Sequence, residues 1–506
     1  MTESIMFQGT ASDSGKSWAA AALCRVLKQR GLKVAPFKSQ NMALNSFITE
    51  KGDEMGRAQV FQAEAAGVKP DPRMNPVLLK PSTDQDSQVI VMGHVLADMS
   101  AVTYHNYKPK LKPRVKAIYE NLAAENDVMV LEGAGSPAEI NLNDRDIVNM
   151  GMAEMAHSPV ILVADIDKGG VFAAIYGTIK LLPEADQKRV KGIIINKFRG
   201  DKRLLVSGNK MIEKLTGIPV IGVLPMADVD LDEEDSVALT RKPRQRDQSK
   251  ALDVAVIDLA KISNFTDFHS LEIQPDVSVR YVRYPDELET PDLLIIPGSK
   301  NTNEDLRVLK ETGFDTAILR AHQRGSMVAG ICGGYQILGQ QLRDPDEIES
   351  MIMHQAGLGL LDTKTVFNHV KTTTQAIAQK GHLQLKGYEI HMGTTTLGPN
   401  AKPFAQIIRT NGEPTNRLDG AVAIDGTVWG TYLHGIFDNT KWTRQLLNQL
   451  RQVKGLAPLV DTSLPLSAYK EEQYNRLAQV FTENIDMAEL DRILAESAGP
   501  QMEGDK

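Results

Sequence analysis

Short, nearly unbroken apolar runs separated by helical patterns constrain this chain more than any single motif. SIMFQ, LKVAPFK, VMVLEGAG, PVILVADID, GIIINKF and IPVIGVLP succeed one another up to Pro225. Runs rich in Val, Ile and Leu, without an in-and-out alternation, mark parallel strands covered on both faces. The rhythm stops near Asp228 and resumes at LDVAVIDL, passing through VSVRYVRYP, DLLIIPGS and MVAGICGGYQILG to TVWGTYLHGIFD. Between the two series, DVDLDEEDSVALTRKPRQRDQSK holds an acidic cluster, a basic cluster and few large apolar residues. That is the composition of an exposed connection.

The chain therefore reads as α/β with two domains, each on a largely parallel sheet: residues 1–235, a linker at 236–250, and residues 251–445. A helical tail follows at 446–506, ending in a frayed SAGPQMEGDK. The 506 residues exceed what one hydrophobic core usually holds. With 42% hydrophobic and 24% charged residues, collagen-like, mucin-like and wholly disordered chains are excluded. No window approaches the roughly 20 apolar residues of a membrane helix. The start, MTESIMFQGT, lacks the basic and apolar regions of a secretion signal, so a cytoplasmic location without membrane association is expected. A net charge of -7 argues against a nucleic-acid partner, and any anionic ligand must be held by a local pocket. Two cysteines, Cys24 and Cys332, are too few for a disulfide framework or a four-cysteine zinc site.

After the first strand comes Gly9-Thr10-Ala11-Ser12-Asp13-Ser14-Gly15-Lys16-Ser17 and then an Ala-rich helix. Strand, glycine-bearing turn and helix form a phosphate loop: backbone N–H groups cradle phosphate oxygens, Lys16 adds positive charge, and the Ser17 hydroxyl ligates Mg²⁺. ATP with Mg²⁺ is the expected nucleotide. Counting back from Gly15, the usual first glycine falls at Thr10, whereas here Gly9 stands one residue earlier. That spacing resembles dethiobiotin synthetase and its relatives. Glu132 at the end of VMVLE, Asp165 in ADIDKGG and Glu54 in GDEMGRAQ are metal candidates, with a turn carboxylate, an ion pair and a helix-dipole acid as their respective plain alternatives. Lys38, ending VAPFK, meets a phosphate or carboxylate, or is a solvated lysine. Asn196 matches the position that contacts adenine in the dethiobiotin synthetase relatives, with a turn asparagine as the alternative. KPKLKPRVK, residues 108–116, is a solvated basic face or a grip for a polycarboxylate.

In the second series, MVAG leads into Gly330-Ile331-Cys332-Gly333-Gly334. This is a nucleophile elbow with cysteine in place of serine, its glycines sitting where a strained strand-to-helix turn leaves no room for Cβ atoms. N–H groups at Gly333 and at Gly298, from the preceding PGS, are the expected oxyanion donors. His434 in GTYLHG is the candidate base, ahead of His391 and His369, and Cys24 reads as a core residue. The two modules together resemble the cobyric acid and cobyrinic acid diamide synthases, which join a dethiobiotin-synthetase-like domain to a triad-type glutamine amidotransferase domain. FQGTASDSGKS, PFKSQNMALNS, MGRAQVFQAEAAG and KPSTDQDSQVIVMG look like the cobyric acid branch; GICGGYQILG, GYEIHMG and GTYLHGIFD look common to both. The resemblance implies small-molecule substrates, glutamine and a corrin polycarboxylate. It implies ligation of nitrogen to the b, d, e and g carboxylates of adenosylcobyrinic acid a,c-diamide through acyl phosphates, one ATP per amide, with Cys332 as glutaminase nucleophile and His434 as its base. The glutamate that many triad amidotransferases carry two residues after the histidine is replaced by Ile436, which leaves Asp438, Glu389 or no third member. The a,c-diamide branch, a nucleotide-switch ATPase and a glutaminase with a regulatory nucleotide domain are the competing readings.

Overall fold

The computed structural model describes residues 2–82, 85–230, 242–460 and 465–497. The connection expected at 236–250 therefore lies partly outside the described residues, as does most of the frayed end. A six-stranded sheet carries the N-terminal half, in the order Val220–Pro225, Val190–Phe198, Val160–Asp165, Glu3–Gly9, Val128–Glu132, Val34–Phe37. Every neighbouring pair is parallel. Period-two alternation splits the first strand between two cores: Ile5 and Phe7 pack on one face with Ala19–Ala22 of the helix Lys16–Gln29, while Met6 packs on the other with Leu131 and Leu162. Alanines on that helix let it lie close to the sheet.

The C-terminal half has a second sheet, ordered Val277–Val282, Leu252–Ile257, Leu293–Ile296, Met327–Ile331, Val428–Thr431, with all of these pairs parallel. Two short antiparallel strands, Ala421–Ala423 and Ala401–Lys402, finish its edge. The α/β reading thus holds in both halves. Two additions break the parallel rhythm. Gln40–Met42, Val77–Pro81, Asp86–Val91 and His94–Ser100 form a small mixed sheet inserted between neighbouring strands of the first domain. A long antiparallel hairpin, Thr363–Lys380 with Leu383–Leu397, reaches back to the N-terminal half, where Tyr388 and Ile390 pack against Ile48.

The tail expected at 446–506 divides: its first residues complete the helix Thr440–Val453, whose Leu446, Leu447 and Leu450 lie in the core of the second domain, while the two helices after it do not extend that domain. Helices Leu466–Asn484 and Met487–Glu496 return to the first sheet, where Leu477, Phe481, Leu490 and Ile493 join the core of Ile5, Phe7 and Leu23. Gly222 permits the approach, since a Cβ there would lie 2.2 Å from the Ile485 side chain. No helix among the described residues is long and apolar enough to cross a membrane.

Candidate active site

Strand Met327–Ile331 delivers Cys332 directly into the helix Gly333–Leu338. The cysteine takes φ 52°, ψ -108°, a strained geometry that non-glycine residues seldom adopt outside functional turns. The glycines are required on both sides. A Cβ on Gly330 would sit 2.6 Å from the Gly334 carbonyl oxygen, and one on Gly334 only 1.9 Å from that of Ile296. Gly333 faces the Ser299 backbone N at 2.9 Å by the same construction, so the two segments expected to supply oxyanion donors lie against each other.

His434, fully buried after the adjacent strand Val428–Thr431, carries Asp267 on its Nδ1 at 2.7 Å. The other Asp267 oxygen accepts from the Gly435 N–H at 3.0 Å, which holds the carboxylate against the ring. Nε2 is buried beside Cys332 with no hydrogen-bond partner among the described residues, and the Cys332 Sγ donates to the Ile390 carbonyl at 3.4 Å. Burial disfavours the imidazolium, but the Asp267 carboxylate and the neighbouring Cys332 overcome it and push the ring up to about 10. This arrangement can hold a thiolate beside an imidazolium, the charge state needed to attack a carboxamide and protonate its leaving nitrogen.

In the other half, the phosphate loop is folded as its sequence predicts. Gly15 takes φ 97°, and a Cβ there would lie 1.9 Å from Asn196 Nδ2, which donates to the Ser14 carbonyl at 2.9 Å. Asn196 therefore braces the loop. Gly9 leaves room for the Lys16 ammonium, which bonds the carbonyls of Ala11 at 3.0 Å and Gly135 at 3.1 Å. Glu132 gathers Ser17 at 2.7 Å, Lys38 at 2.9 Å and Gln62. Burial alone raises its pKa, yet Lys38, Ser17 and Lys16 hold it below the ordinary carboxylate range. A cavity of about 640 Å³ opens over these groups, and Lys108 and Asn143 also line it. Ser17 and Glu132 are hard oxygen donors, but no group of three or more His, Cys, Asp or Glu suited to a metal occurs among the described residues. A metal here would share its shell with nucleotide and water, which suits Mg²⁺.

Comparison with known proteins agrees with both halves. Residues 5–237 match the CobQ/CobB/MinD/ParA nucleotide binding domain, and residues 253–442 the CobB/CobQ-like glutamine amidotransferase domain. Cobyric acid synthase of Limosilactobacillus reuteri is 72% identical over 495 residues, covering 98% of this chain and 99% of its own. The chain belongs to the cobyric acid synthase family. Two further relatives of that name, from Streptococcus sanguinis and Listeria monocytogenes, are 61% and 56% identical, each over 98% of this chain and over 99% and 97% of their own.

For a member of the cobyric acid synthase family, the remaining expected site residues divide clearly. Asp165 accepts from Lys197 at 3.0 Å, and Lys197 also bonds Asp13 of the loop at 3.3 Å. It supports the phosphate loop through a lysine. Glu54 is elsewhere: its two oxygens are taken by Lys80 at 2.8 Å and Lys371 at 2.6 Å, and it does not line the nucleotide cavity. The sequence puts Glu54 in a helical first turn, but it stands on the short strand Glu54–Gly56, ahead of the helix Arg57–Ala66, and provides a buried ion cluster between the halves. Of KPKLKPRVK, Lys108 lines the cavity, and burial lowers its pKa against the pull of Asp146 and Asp144. The other basic residues of that run are exposed.

Neither acid considered as the third member orients His434. Asp438 accepts from Ser270 at 2.5 Å, and Glu389 is held by Thr374 and Arg417. Nothing in the sequence marks Asp267, which lies in a short turn, FTDF, between apolar elements, with no spacing that ties it to GTYLHG. The competing histidines also separate. His391 is stacked on Tyr432 at 3.7 Å and burial drives it down to about 4, whereas His369 is largely exposed. Cys24 is a core residue under the sheet, and burial pushes its thiol up.

Proposed function

We propose that this protein amidates the b, d, e and g carboxylates of adenosylcobyrinic acid a,c-diamide, using glutamine as nitrogen donor and one ATP per amide, in the cytoplasm. The observation that carries the reading is the pairing, in one chain, of a cysteine–histidine–aspartate constellation with a braced phosphate loop. Each answers one half of the chemical problem. Ammonia cannot expel oxide from a carboxylate, and glutamine does not release ammonia unaided.

In the glutaminase step the Cys332 thiolate attacks the glutamine side-chain carbonyl carbon. His434 gives its proton to the departing nitrogen, and N–H groups of Gly333 and the Gly298–Ser299 segment receive the oxyanion. Ammonia leaves, and water then releases glutamate from the thioester, with His434 as base. In the synthetase step a corrin carboxylate oxygen attacks the ATP γ-phosphorus and ADP departs. Ammonia attacks the resulting acyl phosphate, and inorganic phosphate leaves. Lys16 draws charge from the transferred phosphoryl group, Gly9, Thr10 and Gly15 shape the loop that holds it, and Lys38 and Lys108 face the acceptor side. Ser17 and Glu132 would hold Mg²⁺, whose charge offsets that of the β- and γ-phosphates.

Incubation of the protein with the a,c-diamide, ATP and glutamine tests the reading. Mass spectrometry should count four new amides, with ATP consumed and glutamate released in step and only in the presence of the corrin. Amidation of cobyrinic acid at two positions would reassign the protein to the a,c-diamide branch. ATP hydrolysis without glutamate would favour a nucleotide switch.

A further inference from the structure

The segment PFKSQNMALNS, residues 36–46, has a clear relation to the nucleotide site at its start and none in the steps above at its end. Lys38 is paired with Glu132, the Gln40 side chain accepts from the Tyr104 hydroxyl at 2.6 Å, and Asn41 and Met42 line the nucleotide cavity. Three residues later the same strand of chain has crossed to the other half. Asn45 Oδ1 accepts from the Phe265 N–H at 3.3 Å, and the Ser46 N–H donates to Asn264 Oδ1 at 2.9 Å. Asn264 and Phe265 open the turn that bears Asp267. The Ser46 carbonyl accepts from the Tyr388 hydroxyl at 3.3 Å, and the Phe47 ring lies 5.5 Å from that of Tyr388. Tyr388 in turn stacks on His434, 5.2 Å between centroids and 19° from parallel, and exchanges backbone hydrogen bonds with it.

Two members of the triad are thus braced from outside their own domain. Asn264 has φ 54°, a left-handed conformation asparagine tolerates, and is 1% exposed, so the amide that receives Ser46 is closed off from water. A buried hydrogen-bonding group that loses its partner moves or goes unsatisfied, and here movement displaces the turn that carries Asp267. We propose that Asn45 and Ser46 of the nucleotide-binding half are positioning residues for the glutaminase: through Asn264 and Tyr388 they set Asp267 and His434 square to Cys332. The inference rests on the reading of Cys332 as the glutaminase nucleophile.

The test uses the full chain with Asn45→Ala and, separately, Asn264→Gly, which keeps the left-handed turn while removing the acceptor. Glutamine-dependent kcat should fall about ten- to hundredfold with KM for glutamine little changed, because geometry and not binding is lost. Amidation fed by ammonium chloride should be unchanged. Titratable neighbours of His434 are Asp267, Cys332, Tyr388 and His391, with Asp438 behind Asp267. Weakening the Asp267 contact should therefore move the alkaline limb of the glutaminase profile to lower pH. Asn264→Asp, which restores an oxygen acceptor, should recover much of the rate. A rise in KM at constant kcat with an unmoved limb, or parallel loss of the ammonia-fed reaction, would overturn the proposal. If those variants do not fold, Tyr388→Phe removes only the hydroxyl to Ser46. It should still displace the limb, and an unmoved limb there counts equally against the proposal. Full glutaminase activity in Cys332→Ala would instead sink the underlying reading.

Discussion

Beside Cys332 the groups proposed to serve it, His434 and Asp267, are already locked to each other, whereas around Lys16 those proposed to meet ATP rest on exchangeable partners. Cys332, His434 and Asp267 are 5%, 0% and 4% exposed, and Asp267 is fixed by His434 and the Gly435 N–H. Lys16 bonds two backbone carbonyls, and Ser17 and Lys38 both lean on Glu132, under a cavity of about 640 Å³. A primary amide is small and always the same, so a rigid triad costs nothing in adaptability. A nucleotide, a metal and a large corrin acceptor need contacts that can be exchanged, and groups already neutralised by protein partners remain stable until then.

The sharpest way to break this comparison is to remove one centre at a time. Lys16→Ala should abolish amidation from both glutamine and ammonia, a loss of about a thousandfold or more, because phosphoryl transfer depends on that charge. Cys332→Ala should abolish only the glutamine-fed reaction and leave ammonia-fed product formation intact. Steady-state assays with the two nitrogen sources decide it. Normal ammonia-fed turnover in the lysine variant would remove the phosphate loop from the reaction.

A smaller effect is expected from the acid that steadies the histidine. Asp267→Asn should lower glutamine-dependent turnover by about a hundred- to ten-thousandfold, since an amide favours the wrong imidazole tautomer. The proposed role requires His434 protonated, so activity should be lost as pH rises through the value that Asp267 and Cys332 push up to about 10. Without the carboxylate that value falls toward the ordinary ~6.5 of histidine, and the alkaline limb moves to lower pH. Glutamate release followed across pH reads this directly, and an unshifted limb would take Asp267 out of the triad.

The same pair of sites shows what a sequence displays and what it hides. Cys332 and Gly15–Lys16–Ser17 are legible because the turn that makes them reactive is built from their own neighbours, so backbone demands appear as glycines at fixed offsets. His434 is legible because it closes the apolar run of GTYLHG, although the pairing that sets this run beside the elbow's strand is visible only in the fold. Asp267 had no such signal: its partner is brought by the sheet, and FTDF resembles any acidic turn. Glu54 misleads for the reverse reason: the sequence offers it a helix start that the chain reaches only at Arg57, while Lys371, which neutralises it, lies 317 positions away. The parallel sheets followed from buried Val and Ile runs, but the return of Leu466–Asn484 to the first sheet did not, because an amphipathic helix announces its apolar face and not the surface it will cover.

The finest distinction lies between the two buried acids, Glu132 and Glu54, 1% exposed each and each held by lysine. Glu132 adjoins Ser17 and the cavity, so Glu132→Gln should raise the Mg²⁺ concentration needed for half-maximal amidation about tenfold. Glu54→Gln should leave that concentration unchanged, since Lys80 and Lys371 occupy both oxygens away from the nucleotide. Its cost is structural: the buried Lys80 and the half-buried Lys371 lose their counter-charge, and the protein should be destabilised by about 3 kcal/mol, read as a lower urea midpoint. A Mg²⁺ requirement that shifts with Glu54 would return that residue to the metal site, and a shift with both would mean that the interface cluster and the nucleotide cavity act as one electrostatic unit.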